Sequence, residues 1–425
     1  MKLESFWQAT APAFTGAATG DLPATADVVV IGGGFTGISA ALNLARSGVK
    51  VVVLEAGEVM SQASGRNGGH CNTGVAHNFA AMVESQGVEQ ATRYYRAFAD
   101  AVDYVQSVVA SEQIDCDFRR CGKLKLASKA SHLPSLVAAC EMMKRHVDPD
   151  VEILSADEVK REIDSPQFHG ALLQHHGGQM HMGKFGAGLA DAAVRAGAAV
   201  YPHSAVTGLT RLNGYRHRVS TAKGEIVAEK VLMATGCSNI GPFDWFQRRI
   251  IPVGSFVVVT EPLDERLLNR LLPGDRTYVT SLNLGNYLRT TADRRLVFGG
   301  RARFAISNPT SDAKSGEVLK TGMQAMFPAL GNVAIDYCWG GLVDMTADRL
   351  PHAGEQDGVF YSLGYSGHGT QMSVWMGRVM ADLIAEKSND NPWQRSSWPA
   401  VPGYFGKPWF LPVAGLYYKA KDKFS

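Results

Sequence analysis

The 425-residue sequence predicts a mixed α/β (α+β) fold, a Rossmann-type dinucleotide-binding domain intertwined with an antiparallel-sheet domain. Three stretches predict it. Residues 27–55 run strand, glycine turn, helix, strand, acid. Residues 250–305 alternate as antiparallel strands, and residues 359–385 repeat the strand, glycine turn and helix.

The first stretch reads D-V-V-V-I-G-G-G-F-T-G-I-S-A-A-L-N-L-A-R-S-G-V-K-V-V-V-L-E. An apolar run from Val28 to Ile31 feeds glycines at 32, 33, 34 and 37. Phe35, Ile38, Ala41, Leu42 and Ala45 then recur at helical spacing until Gly48, and a second apolar run closes on Glu55. Gly32 lets the chain turn off the strand, Gly34 lets a pyrophosphate approach the backbone, and Gly37 lets the helix pack on the strand. The phosphates then meet the unpaired N–H groups of a helix start. Glu55 accepts the hydroxyl protons of an adenosine ribose and repels a 2′-phosphate, so NADP is disfavoured. NAD and FAD both satisfy this fingerprint.

The remaining elements follow in order. Residues 1–25 form an arm carrying Phe6 and Trp7. The loop after Glu55, A-G-E-V-M-S-Q-A-S-G-R-N-G-G-H-C-N-T-G, has no core periodicity; Arg66 and Asn67 in it are donors suited to phosphate, ribose or a polar ring edge. Helices are expected over 83–112, 133–145 and 185–196, a strand over 122–127, and an N-capped helix start at Ser155. Residues 198–236 read as strands with turns at Asn213-Gly214 and Lys223-Gly224, ending in Ala234-Thr235-Gly236. Arg289, Arg301 and Arg303 stand among aromatics in the next strands, and a solvated sheet face is the plainer reading of any one of them. After a helix and D-Y-C-W-G-G-L-V-D-M, a strand over 359–363 leads through G-Y-S-G-H-G-T to a helix over 371–385, a second helix N-terminus for a polar ligand group. The tail is rich in Trp and Pro and is expected to pack over the body. The expected nucleotide domain comprises 26–80, 150–240 and 335–390, the substrate domain 81–149 and 241–334, with an arm over 1–25 and a tail over 391–425.

Composition narrows the function. With 45% hydrophobic and 19% charged residues the chain can bury a large core. A net charge of +2 without a Lys/Arg cluster argues against nucleic acid as a partner. The six cysteines are scattered without C-x-x-C, which points to reduced thiols in a cytoplasmic protein. His175, His176 and His181 lack companion ligand spacing, so no metal is expected. No apolar run approaches the ~20 residues of a transmembrane helix, and the opening M-K-L-E-S-F-W lacks the apolar core of a secretory signal.

In this order, G-G-G-F-T-G with Glu55, A-S-G-R-N-G-G, A-T-G and G-Y-S-G-H-G resemble the FAD-dependent D-amino-acid, glycine and sarcosine oxidase family over nearly the whole chain. The A-S-G-R-N-G-G, W-G-G and S-G-H-G segments look most like its γ-glutamylputrescine-oxidising branch. The resemblance implies FAD, with its ADP half on Gly32, Gly34, Phe35, Thr36, Gly37, Glu55, Ala56 and the backbone of Val206. Ser64, Arg66, Asn67, Gly68 and Gly69 would line the middle. Gly236, Gly341, Ser366, Gly367, His368, Gly369 and Thr370 would follow toward the ring, where the helix start steadies charge on the reduced cofactor. Tyr287, Arg289, Arg301 and Trp339 would wall the substrate, and His368 would tune the flavin or assist a proton transfer, a structural hydrogen bond being the alternative.

The implied reaction is oxidation of a carboxylate-bearing amine by hydride transfer from its α-carbon, giving an imine that hydrolyses to an aldehyde or keto acid. Dioxygen or an electron carrier takes the electrons. A cyclic or N-methyl amino acid such as pipecolate or sarcosine, or a D-amino acid, is the rival substrate; an NAD-binding dehydrogenase and a non-catalytic flavoprotein are the rival classes. Two departures from the family stand out. Near Thr346-Ala-Asp348 the flavin-linking cysteine position falls near Gly341, with Cys338 about three residues earlier, so FAD is expected to be non-covalent. The strand L-V-F-G-G-R carries no lysine to assist oxygen.

Overall fold

A computed structural model describes residues 1–302, 306–395 and 397–424; Arg303 lies outside the described residues. Among the described residues two large sheets make the body, each eight-stranded. In the nucleotide sheet, Thr25–Ile31 lies parallel between Val51–Leu54 and Gly224–Met233. Ala199–Tyr201 extends one side, and Val359–Leu363 pairs parallel with Gly224–Met233 on the other. Alternate residues of Thr25–Ile31 serve two cores: Val28 and Val30 face one, Val29 and Ile31 the other. A strand buried on both faces reads as the near-continuous V-V-V-I run. Helices Phe35–Arg46, Gly369–Ile384 and Met182–Arg195 pack with Val28 and Val30.

The second sheet runs, by strand order, Ile335–Met345, Ile251–Thr260, Leu296–Gly300, Asn286–Thr290, Thr277–Thr280, Lys123–Leu126, Gly170–Gln174 and Glu152–Ser155. Period-2 alternation sorts its faces. Leu124, Leu126, Phe256, Val258, Leu288 and Phe298 pack beneath helix Pro309–Met326. Val257, Val259, Val297, Tyr337 and Trp339 face the nucleotide half.

The predicted division therefore shifts. Glu152–Ser155, Gly170–Gln174 and Ile335–Met345, expected with the nucleotide domain, hydrogen-bond into the second sheet. Their pairing is long-range, and flanking sequence does not encode it. The helix expected over 83–112 is two, Phe79–Gln86 and Val88–Ser111, parted at Gly87 with φ 81°. The first hairpin loop is Gly214-Tyr215, since Asn213 pairs with Arg216. Ser155 does cap its helix, in a reciprocal box with Glu158. In the tail, Trp393, Trp398 and Tyr404 are buried and a helix spans Leu411–Phe424.

Candidate active site

At the edge of the nucleotide sheet the glycines are sterically dictated. Gly32 has φ 112°, and a Cβ there would run into the Ala234 carbonyl; a Cβ on Gly37 would run into the Gly32 carbonyl. Helix Phe35–Arg46 starts from Gly34 with no side-chain cap of its own, and Ser64 Oγ accepts the Phe35 N–H at 3.0 Å. The remaining N–H groups of that first turn have no intrahelical acceptor. Glu55 accepts the Gly33 N–H at 2.6 Å and the Gly57 N–H at 2.8 Å. A carboxylate has about four lone-pair positions, so capacity for hydroxyl donors remains. Ser204 donates to the Glu55 carbonyl at 2.7 Å, which brings the chain leading to Val206 beside the acid. Ala56 follows, half-buried, and Gly236 turns with φ 57° after the strand Gly224–Met233. Bare backbone N–H groups, no room for Cβ atoms and one carboxylate are the set a pyrophosphate and ribose need.

The loop beyond is held from outside. Arg66 donates to Gly340 O at 2.8 Å and Ser61 O at 3.0 Å, while Trp339 Nε1 donates to Arg66 O at 2.9 Å. Asn67 donates to Ser64 O and accepts the Gly69 N–H, each at 2.9 Å, and Thr370 Oγ1 donates to it at 3.4 Å. Arg66 and Asn67 were expected to reach a ligand with their side chains. Here those groups bond the loop and strand Ile335–Met345, because an irregular segment must satisfy its own buried carbonyls. The arm completes the clamp: Ser5 donates to Gly65 O at 2.8 Å and Trp7 Nε1 to Asn67 O at 2.7 Å. The arm's local sequence does not spell out this role, for which its buried Phe6 and Trp7 are the signal.

The sheet wall separates the four predicted side chains. Tyr287 lies over Gly299 and against Gly68, where Cβ atoms would collide with its ring; its hydroxyl is 3.2 Å from Ser255 Oγ. His70 meets that ring edge-on at 5.5 Å, and its buried Nε2 has no partner among the described residues. Arg301, half-buried, reaches toward Gly367, and its charged or ionisable neighbours are Arg349, Tyr418 and Tyr287. Gly341 backs onto Arg66. Arg289 is not solvated: it is 3% exposed, lies against Gly69, donates to Met180 O at 3.0 Å and sits 4.9 Å over Trp7, while its buried Nε has no partner among the described residues. Trp339, 1% exposed, supports the loop from beneath.

Electrostatics define the site further. Burial, then Lys123, pushes His368 down to about 3; burial, then Arg289 and Lys123, does the same to His70. Neither ring is an imidazolium near neutrality. His368 packs edge-on to Phe98, its Nδ1 3.5 Å from Ser366 O, ahead of helix Gly369–Ile384. Asp344 accepts the Gly364 N–H at 2.8 Å, and Ser366 N–H donates to its carbonyl at 3.1 Å, fixing the glycine turn. Sequence reading missed Asp344 and also Lys123 and Lys125, which K-L-K-L alternation places on the face opposite the buried leucines. Among the described residues no His, Cys, Asp and Glu group could hold a metal ion, and no helix is long and apolar enough to cross a membrane.

Comparison with known proteins places this geometry. Residues 27–383 match the family model of DAO, FAD dependent oxidoreductase. The chain is 35% identical to "Gamma-glutamylputrescine oxidoreductase" of Escherichia coli over 85% of this chain and 84% of that protein. It is 30% identical to "Probable oxidoreductase OrdL" of Haemophilus influenzae over 94% and 92% respectively. The crystal structure of glycine oxidase from Geobacillus kaustophilus superposes with a TM-score of 0.72, covering 90% of this chain and 100% of that one at 21% identity, a likeness of fold. A dinucleotide cradle crossed by an antiparallel wall, in a chain with these relatives, belongs to the DAO family of FAD-dependent oxidoreductases.

Proposed function

We propose that the enzyme oxidises an amine that also carries a carboxylate, of the γ-glutamylputrescine type. One observation carries this reading: Arg301, beside Gly367 in the glycine turn, is the charge acting on Tyr287, Arg349 acts on Arg301 in turn, and among the described residues no carboxylate does. Such a field disfavours an ammonium and favours the neutral amine, whose lone pair the oxidation requires, while welcoming an anion elsewhere on the molecule.

FAD, when bound, supplies the two-electron acceptor for the hydride leaving the carbon next to nitrogen. Gly32, Gly34, Phe35, Thr36, Gly37, Glu55, Ala56 and Val206 would hold its ADP half. The backbone of Ser64 through Gly69 would take the middle, and Gly236, Gly341 and Ser366 through Thr370 the remainder. Tyr287 packs against the substrate, Arg301 adds to the positive field around it, and His368 and His70, held neutral by burial, offer hydrogen bonds without carrying a charge. The resulting imine is hydrolysed by water.

The attachment is non-covalent in this reading. Cys338 turns to the other face of its strand, its Sγ donating to Asp312 O at 3.3 Å, and burial pushes its thiol up to about 12. The relation to the E. coli relative supports the γ-glutamyl choice. Dioxygen is the proposed acceptor, and an electron carrier is the outcome if oxygen uptake is slow.

Anaerobic mixing of the yellow holoenzyme with γ-glutamylputrescine, pipecolate, sarcosine and D-alanine tests the substrate. Loss of the flavin band near ~450 nm with the first alone is expected. Faster bleaching by sarcosine or pipecolate would sink the γ-glutamyl reading. Acid precipitation should leave the colour in solution.

A further inference from the structure

Beside the wall lies a cavity of about 50 Å³, on a measure by which one water needs roughly 10–15 Å³. Phe79, Tyr95 and Met143 give it apolar and aromatic walls, while Gln174, Lys123 and Lys125 supply polar groups. None of its lining residues is Asp or Glu. Lys123 donates to Thr73 O at 2.9 Å. An ammonium has three donors, so two are left. Besides burial, the charge acting on Lys123 is Lys125 and that acting on Lys125 is Arg349. Gln174 Nε2 donates to Tyr95 OH at 2.9 Å, and Tyr95 OH donates to Asp148 at 3.0 Å, so the polar wall is held in place. Two half-buried lysines that open onto a cavity, with no ion-paired carboxylate among the described residues, cost folding energy that an anionic ligand would offset.

Register places this cavity relative to the reaction. Val279 pairs with Tyr287 on one side and with Lys125 on the other, so all three share a row of the sheet. Two strand spacings of about 4.8 Å put Lys125 roughly 10 Å from Tyr287 along that row. An extended chain gains about 1.1–1.2 Å per bond, so roughly eight to nine bonds cover the interval.

Resting on the proposed amine-oxidising function, we propose that the Lys123–Lys125 cavity receives the carboxylate end of the substrate, about eight to nine bonds from the oxidised carbon. The cavity is then a length gauge: it selects N-acylated diamines ending in a carboxylate and rejects short amino acids, whose carboxylate lies beside the reacting carbon. An α-amino group next to that carboxylate is not required, because no acid faces it in the cavity.

The holoenzyme tests this with N-glutarylputrescine, N-pentanoylputrescine, which has similar length and no carboxylate, and N-malonylputrescine, which is two bonds shorter. The glutaryl compound should reduce the flavin with a Kd at least tenfold below both others, and in K123M/K125M its advantage should vanish. N-butylglutaramate, which has the carboxylate and no reacting amine, should bind the wild type in calorimetry and not the double variant, with K125R recovering part of the binding. Equal Kd values for the glutaryl and pentanoyl compounds, or an advantage surviving in the double variant, would overturn the assignment. Should the double variant fail to fold, the wild-type ligand series and K125M alone decide. If no amine reduces the flavin, the proposed function fails, while calorimetry with N-butylglutaramate still reports on the cavity.

Discussion

The two halves of the molecule hold their functional residues by opposite means. In the nucleotide half, Gly32, Gly34, Gly37 and Glu55 sit within one strand–turn–helix–strand unit, and steric exclusion at single atoms positions them. In the second sheet, Tyr287 and Lys125 come from distant parts of the chain and share a face through strand register alone, each paired with Val279. A local code tolerates no added atom. A register code tolerates side-chain exchange but depends on every intervening strand.

The largest effect should come from the local code. Gly37→Val drives a side chain into the Gly32 carbonyl, and a loss of about 3 kcal/mol or more is expected. Purified protein should be colourless or markedly less stable by thermal melt; a yellow, stable variant would break the contrast. Next is Trp7→Ala, which removes a fully buried indole and its bond to Asn67 O. A cost of about 3–5 kcal/mol in denaturant unfolding is expected, with flavin content falling because the loop at 64–69 loses its clamp.

The register-built side is sharpened by pH. Burial holds Lys123 down at about 7, and the groups facing it or its cavity are Lys125, His70, His368, His77, Tyr95 and Gln174, with Arg349 acting through Lys125. Its proton is lost as pH climbs through that value, and anion binding goes with it. The Kd of N-glutarylputrescine should therefore rise by up to about tenfold per pH unit above neutrality, whereas that of N-pentanoylputrescine should not follow. The stability contribution has the opposite sense: charged Lys123 costs stability below about pH 7, and that cost is relieved as pH rises toward its ordinary 10.5. The smallest effect belongs to Ser155→Ala, at the capping box with Glu158 on an exposed helix. About 1 kcal/mol or less is expected in unfolding, with no change in flavin content.

How far each residue was legible follows from the same contrast. The cradle from Gly32 to Glu55 was readable because each requirement, an N–H array, a missing Cβ and an acid, is written within about one βαβ unit. The tethers of Arg66 and Asn67 were not, since their partners Gly340, Ser61 and Thr370 arrive by folding. For Arg289 and Trp339, alternation along a strand fixes a face but not what packs against it. Met180, just before helix Met182–Arg195, and Trp7 of the arm come onto Arg289 only by folding.

By itself, the sequence determined the α/β class, the nucleotide cradle and the second glycine turn before helix Gly369–Ile384, because backbone sterics and helix ends act over a few residues. Only the tertiary structure decided which strands share a sheet, which arginine faces the site, and that Lys123 and Lys125 stand in the same row as Tyr287. Those facts depend on hydrogen-bond register between segments distant along the chain, and register is set by the packing of whole faces.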